Sequence, residues 1–188
     1  MSEYKTGDNF RIEEIRIDRM MMISIAVFFI SVALFILLTY LGLKIHVTYN
    51  ILIRPEYEII GLVILPLLNI ILHELIHALT YLIVSKGAIK DFEFGFVFKK
   101  MIAYCYLKKD ISIRDYRLIA LMPLLILLPA AVVIYMIIPG PASSLFLVIS
   151  LTGPVFDIYY IFKLRRFSSG CKIRETREQD HLFVLVPE

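Results

Sequence analysis

Four runs of about 20 apolar residues leave this 188-residue chain few folds to choose from. They are Met20–Leu43, Ile59–Ser85, Leu118–Ile138 and Ala142–Leu164. In hydrocarbon, a backbone N–H or C=O finds no water, so an isolated apolar run must satisfy its polar groups internally as a helix. Hydrophobic side chains make up 59% of the sequence and the mean hydropathy is +0.78, which excludes an ordinary soluble domain. The first run is preceded by 19 largely polar residues, exceeds the length of a signal-peptide core and lacks a small-residue cleavage site after it. It is therefore expected to be a retained anchor.

The net charge of +3 is less informative than its placement. Lys5, Arg11, Arg16 and Arg19 precede the first run, and Lys86, Lys90, Lys99, Lys100, Lys108, Lys109, Arg114 and Arg117 lie between the second and third. Arg165, Arg166, Lys172, Arg174 and Arg177 follow the fourth. The opposite side holds only Lys44 and Arg54, since the turn Pro139–Pro141 is uncharged. By the positive-inside rule both termini are expected to be cytoplasmic, in a multi-pass protein of the cell membrane. The basic residues suit anionic lipid headgroups of the bilayer rather than nucleic acid.

These segments predict an all-α multi-pass membrane protein: a cytoplasmic arm (1–19), a four-span membrane domain (20–164) and a cytoplasmic tail (165–188). The arm reads as a solvated segment or a short interfacial helix. Between the first two spans, Ile45, Val47, Tyr49, Ile51 and Ile53 alternate as in a strand until Arg54 and Pro55. His46 there has no partner at ligand spacing. Between the second and third spans, Phe92, Phe94, Phe96 and Phe98 alternate with Glu93, Gly95, Val97 and Lys99, and a second run spans Met101–Leu107. This predicts a small cytoplasmic β-hairpin, which either packs on the membrane surface or offers an edge to an extended peptide. The tail residues His181–Val186 have strand character, and Cys105 and Cys171 are expected to be free thiols.

The second run carries His73, Glu74 and His77 in the spacing H-E-x-x-H. At 3.6 residues per turn, both imidazoles lie on one helix face and can reach a single zinc ion. Glu74 is turned about 100° from His73, placed to act on water at the metal without being a ligand. Catalytic zinc takes three protein ligands and keeps one position open. Away from their ends, the first and third runs contain no charged residue, and the fourth contains only Asp157. A lone carboxylate in lipid needs a partner, and zinc is the candidate; hydrogen bonds to Thr152 or a tyrosine are the alternative. Gly153 and Pro154 can open the helix just before Asp157. Asn69, Thr80 and Tyr81 continue the polar face of the second run. Asn69 either orients a ligand or oxyanion or joins helices, and Thr80 is a candidate supporting residue.

With these residues in hand, the sequence resembles the zincin peptidase family of small membrane proteins, first described as a domain of unknown function. The similarity lies in His73–Ala78, Phe92–Phe96, Ala103–Tyr104, Tyr116–Pro123 and Asp157. In Ser150–Asp157 the family's Asp and one Gly are kept, while its Asn and the Gly before Asp are not. More distantly, the order of parts is similar to the core of site-2 proteases, although Ile158 replaces the Gly that usually follows their Asp. The resemblance implies a zinc-dependent intramembrane peptidase acting on membrane-protein or peptide substrates. His73, His77 and Asp157 would be ligands and Glu74 the general base. The rival reading is a non-catalytic scaffold or a metal-binding transporter subunit.

Overall fold

The computed structural model describes residues 10–16, 20–49, 55–86, 88–97, 102–175 and 181–187. In chain order come strand β1 (Phe10–Arg16) and the long helices α1 (Met20–Tyr49) and α2 (Pro55–Val84). Strands β2 (Phe92–Val97), β3 (Ile102–Leu107) and β4 (Ile111–Ser112) follow, then helices α3 (Ile113–Ile137), α4 (Pro141–Thr152) and α5 (Val155–Lys163). Strands β5 (Lys172–Glu175) and β6 (His181–Pro187) end the described chain. Among the described residues four helical segments are long and apolar enough to cross a membrane: Met22–Ile45, Glu56–Val84, Ile113–Ile137 and Pro141–Arg166. The protein is mostly helical but not all-α, because six strands form two small sheets among the described residues.

Local chemistry sets the helix ends. Pro55 opens α2, where its missing N–H costs nothing, and Glu56 and Glu58 in the first turn favour the positive end of the helix dipole. Ser112 caps α3 by accepting the Asp115 N–H at 3.1 Å. The fourth span is broken: Pro154 has no N–H to continue the ladder, which restarts with the Ile158 N–H donating to Pro154 O at 3.0 Å. Phe28, Phe29 and Ile36 on α1 are more than 60% exposed. Such an apolar surface suits lipid rather than water.

Helix α4 contacts α1, α2 and α3. The Asn69 amide of α2 donates to Ser150 Oγ of α4 at 2.5 Å, and Ser31 of α1 donates to Thr152 at 3.1 Å. A Cβ added to Gly61 would lie 2.8 Å from the Ala142 Cβ, so only glycine permits this approach of α2 to α4. Near the same end, Glu58 accepts the Ala142 N–H at 2.8 Å.

The larger sheet has the order β1-β6-β5-β4, with every pair antiparallel. Ile15 lies opposite Leu182 and Ile173 opposite Val184, and these side chains form one buried face with Ile111. That face packs on Ala78 and Tyr81 of α2, Ile113, Tyr116 and Ile119 of α3, and Tyr160 and Leu164 at the end of the fourth span. The sheet thus covers the helix ends where α2 and the fourth span finish and α3 begins.

Two local expectations are corrected. Residues 10–16 are neither a solvated arm nor an interfacial helix but a strand paired with the tail, so arm and tail join one sheet. The alternation at Ile45, Val47 and Tyr49 lies within α1, because a helix already under way offers each new residue an internal hydrogen bond while a lone strand offers none. Ile51 and Ile53 lie outside the described residues. Strands β2 and β3 pair from Phe92 with Leu107 to Val97 with Ile102, and Phe98–Met101 lie outside the described residues.

Candidate metal centre

Helix α2 places His73 and His77 one turn apart, with Nε2 atoms 3.1 Å from each other. Asp157 lies in the first turn of α5, and its Oδ2 is 3.2 Å from His73 Nε2 and 3.7 Å from His77 Nε2. Three donor atoms thus converge from two spans, all within 4.8 Å of one another. Tetrahedral ligands about 2.0–2.1 Å from zinc stand about 3.3 Å apart, so the observed triangle has the size such an ion requires. The two histidine side chains are 15% exposed and Asp157 is 23% exposed, which leaves the cluster an open side.

The surroundings also suit a metal. Ile119 O of α3 lies 3.0 Å from His77 Nδ1. A carbonyl can only accept, so Nδ1 carries a proton there, and Nε2 is the ring nitrogen turned toward Asp157 and His73. Thr152 instead donates to Val148 O at 2.8 Å, so it is not the partner of Asp157. Glu74 is partly buried, stands outside the three-donor group and lies within electrostatic reach of His77.

The other candidates face elsewhere. Asn69 is engaged with Ser150, and the Thr80 hydroxyl donates to Ile76 O of its own helix at 2.7 Å. Both are buried and join or brace helices. The side chains of Cys105 and His181 lie outside those described, while Cys171 is a free, buried thiol.

Sequence reasoning missed Glu175. It sits on β5 in alternation with buried Ile173, so its side chain points from the sheet toward the helix ends. Its Oε2 accepts the Leu107 N–H at 2.8 Å, and its neighbours in electrostatic reach are His77, Glu74 and Asp157. Burial pushes its carboxyl up to about 7, which the Leu107 bond and His77 partly oppose. An acidic residue on the apolar face of a short strand was the available signal, but it becomes readable only once the strand is known. Glu175 is partly buried, whereas the carboxylate of Asp91 is buried. Lys109 Nζ at 2.9–3.0 Å and the Ala88 N–H at 2.8 Å hold it below the usual range, and Tyr81 also donates to it at 3.3 Å. This cluster ties the ends of the β2–β3 pair to α2.

The family model described as "Putative zincin peptidase" matches residues 66–172, more than half of the chain. The chain belongs to that family. The matched segment includes His73, Glu74, His77 and Asp157, whereas Glu175 lies just beyond it. No curated protein and no solved structure matches the chain. The family implies zinc, and the converging His, His and Asp donors are a set that fits it.

Proposed function

We propose that this protein is a zinc-dependent peptidase that hydrolyses peptide bonds of membrane-embedded or membrane-adjacent substrates. The observation that carries the reading is the triangle of His73, His77 and Asp157, with Glu74 beside it but outside it. His73, His77 and Asp157 would hold the metal, and Ile119 O keeps the His77 imidazole in the ligating tautomer. Bound there, zinc would act as a Lewis acid on the scissile carbonyl and bring the pKa of water at its open position to about 7. Glu74 would take a proton from the attacking water and return it to the leaving amine. The substrate must be extended at the cut, since a helical peptide bond in lipid is shielded by its own hydrogen bonds.

The placement of an H-E-x-x-H helix and an Asp-bearing helix in two spans, and their order in the chain, supports a site-2-protease-like core working inside the membrane. The lysine and arginine asymmetry supports a site opening toward the cytoplasm, with both termini on that side. The pair β2–β3 lies between the second and third spans in the chain, and its extended edge suits contact with an extended peptide.

The decisive experiment is Glu74→Gln, assayed by cleavage of a transmembrane reporter peptide in liposomes, with a chelator control. The variant is expected to keep its zinc and lose cleavage by about a hundred- to ten-thousand-fold. Cleavage at the parent's rate would rule the mechanism out, and a zinc-binding scaffold would then be the better reading.

A further inference from the structure

A cavity of about 330 Å³ lies between strand β1 and the end of the fourth span. Arg11, Glu13 and Val186 line it from the sheet, and Arg166, Ser168 and Cys171 from the segment after α5. Arg11, Glu13 and Val186 share the sheet face that also carries buried Ile15 and Val184, so the cavity continues the edge of the core between sheet and helices. Lys172 lies over the Phe10 ring on the opposite sheet face and does not contribute.

The charges in this cavity are unequal. Among the described residues Glu13 is the one carboxylate lining it, and it bridges two guanidiniums, pairing with Arg11 and lying 3.7 Å from Arg166. Two guanidiniums carry about ten N–H donors, whereas a carboxylate offers about four acceptor sites. The Arg11 and Arg166 side chains remain 68% and 62% exposed, so both guanidiniums can be reached from outside, and Arg166 lies over the Phe167 ring 4.8 Å from its centre. Ser168 adds a hydroxyl.

The position of the cavity narrows the class of anion. Arg166 is the last residue of the fourth apolar segment. Just before it, Arg165 lies over Phe162 and Lys163 over Tyr159, each 5.4 Å from the ring centre, and Phe162 is 63% exposed. Aromatic rings paired with cations at a span end mark the level of the lipid headgroups. A phosphate matches two converging guanidiniums better than a lone carboxylate does, because its oxygens can take both forks bidentately.

We propose that Arg11, Arg166 and Ser168 form a binding site for a phosphate-bearing anion at the membrane boundary, filled by the headgroup of an anionic phospholipid. Glu13 pre-orients the two arginines and competes with the ligand. This site is separate from the metal centre and does not rest on the peptidase reading.

The test uses the purified full-length protein in neutral detergent and three probes: dioctanoyl phosphatidylglycerol, dioctanoyl phosphatidylcholine and sn-glycerol 3-phosphate. Saturable binding of the phosphatidylglycerol, at about one per chain and weakening with salt, is expected. Arg166→Gln should weaken it about ten- to a hundred-fold, the worth of charge-assisted hydrogen bonds, and Glu13→Gln should tighten it. These opposite signs separate a ligand site from a structural ion pair, whose loss would act in the same direction from either side. If Arg166→Gln does not fold, the sign for Glu13→Gln decides. Glycerol phosphate competing only at much higher concentration identifies a lipid site; equal affinity identifies free phosphate as the source and supports the anion site alone. Equal binding of the phosphatidylcholine, or weaker phosphatidylglycerol binding by Glu13→Gln, would overturn the proposal.

Discussion

Replacing Glu175 by Gln tests how the sheet is joined to the candidate metal centre. In the metal-free protein, burial raises this carboxyl from 4.5 to about 7, at a position whose charged neighbours include Glu74 and Asp157. The folded state therefore holds the Glu175 proton more tightly than the unfolded chain. Stability is full below about pH 4.5 and is lost as pH rises toward 7, the reverse of a salt-bridged carboxylate. At about 1.4 kcal/mol per pH unit, the ionised group costs roughly 3 kcal/mol at pH 8. Glutamine keeps a carbonyl that can accept the Leu107 N–H but carries no charge. For a chain of this size, Glu175→Gln should raise the unfolding midpoint of chelator-treated protein at pH 8 by up to roughly 10 °C. At pH 4.5 the two proteins should unfold within about a degree of each other, because both then carry a neutral side chain. Zinc should narrow the gap at pH 8, since a cation held by His77 and Asp157 favours the ionised carboxylate. Thermal scans in detergent at the two pH values measure this. An equal offset at both would show that charge is not the cause, and a less stable variant at pH 8 would show that the ionised carboxylate is favourably paired.

The remaining predictions concern the metal, the hairpin and the orientation. Purified protein should hold about one zinc per chain by elemental analysis. His73→Ala or His77→Ala should abolish it and Asp157→Ala should weaken it strongly; undiminished affinity in Asp157→Ala would remove that residue from the ligand set. Asp91→Asn should lower the unfolding midpoint at pH 7. The difference should shrink as pH falls below 3.8, because the partners that depress this carboxyl stabilise the fold only while it is ionised. Single cysteines placed in residues 86–116 should react with impermeant reagents only from the cytoplasmic side. Labelling only from outside would reverse the proposed orientation.

The periodicity of α2 was legible because a helix converts a spacing of four residues into a shared face, so His73 and His77 declare themselves without tertiary information. Asp157 could be inferred by a different route: hydrocarbon admits so few charges that one carboxylate in the fourth run stands out. The same reasoning yielded four helices, since length and apolarity suffice when the solvent is lipid. It failed where partners lie far apart in the chain. Ile15 and Leu182 are 167 positions apart, and nothing local to Phe10–Arg16 tells a strand from a polar arm until β6 arrives beside it. The polar side chain of Asn69 was visible, but whether it faced the candidate metal centre or another helix depended on where α4 put Ser150. Glu175 was hidden for a related reason: its inward direction follows from the register of β5 against β6, and its raised pKa from the helix ends beneath that sheet. Helix faces are set by neighbours within a turn, whereas strand pairing, burial and the field at a carboxylate are set by residues that only the fold brings near.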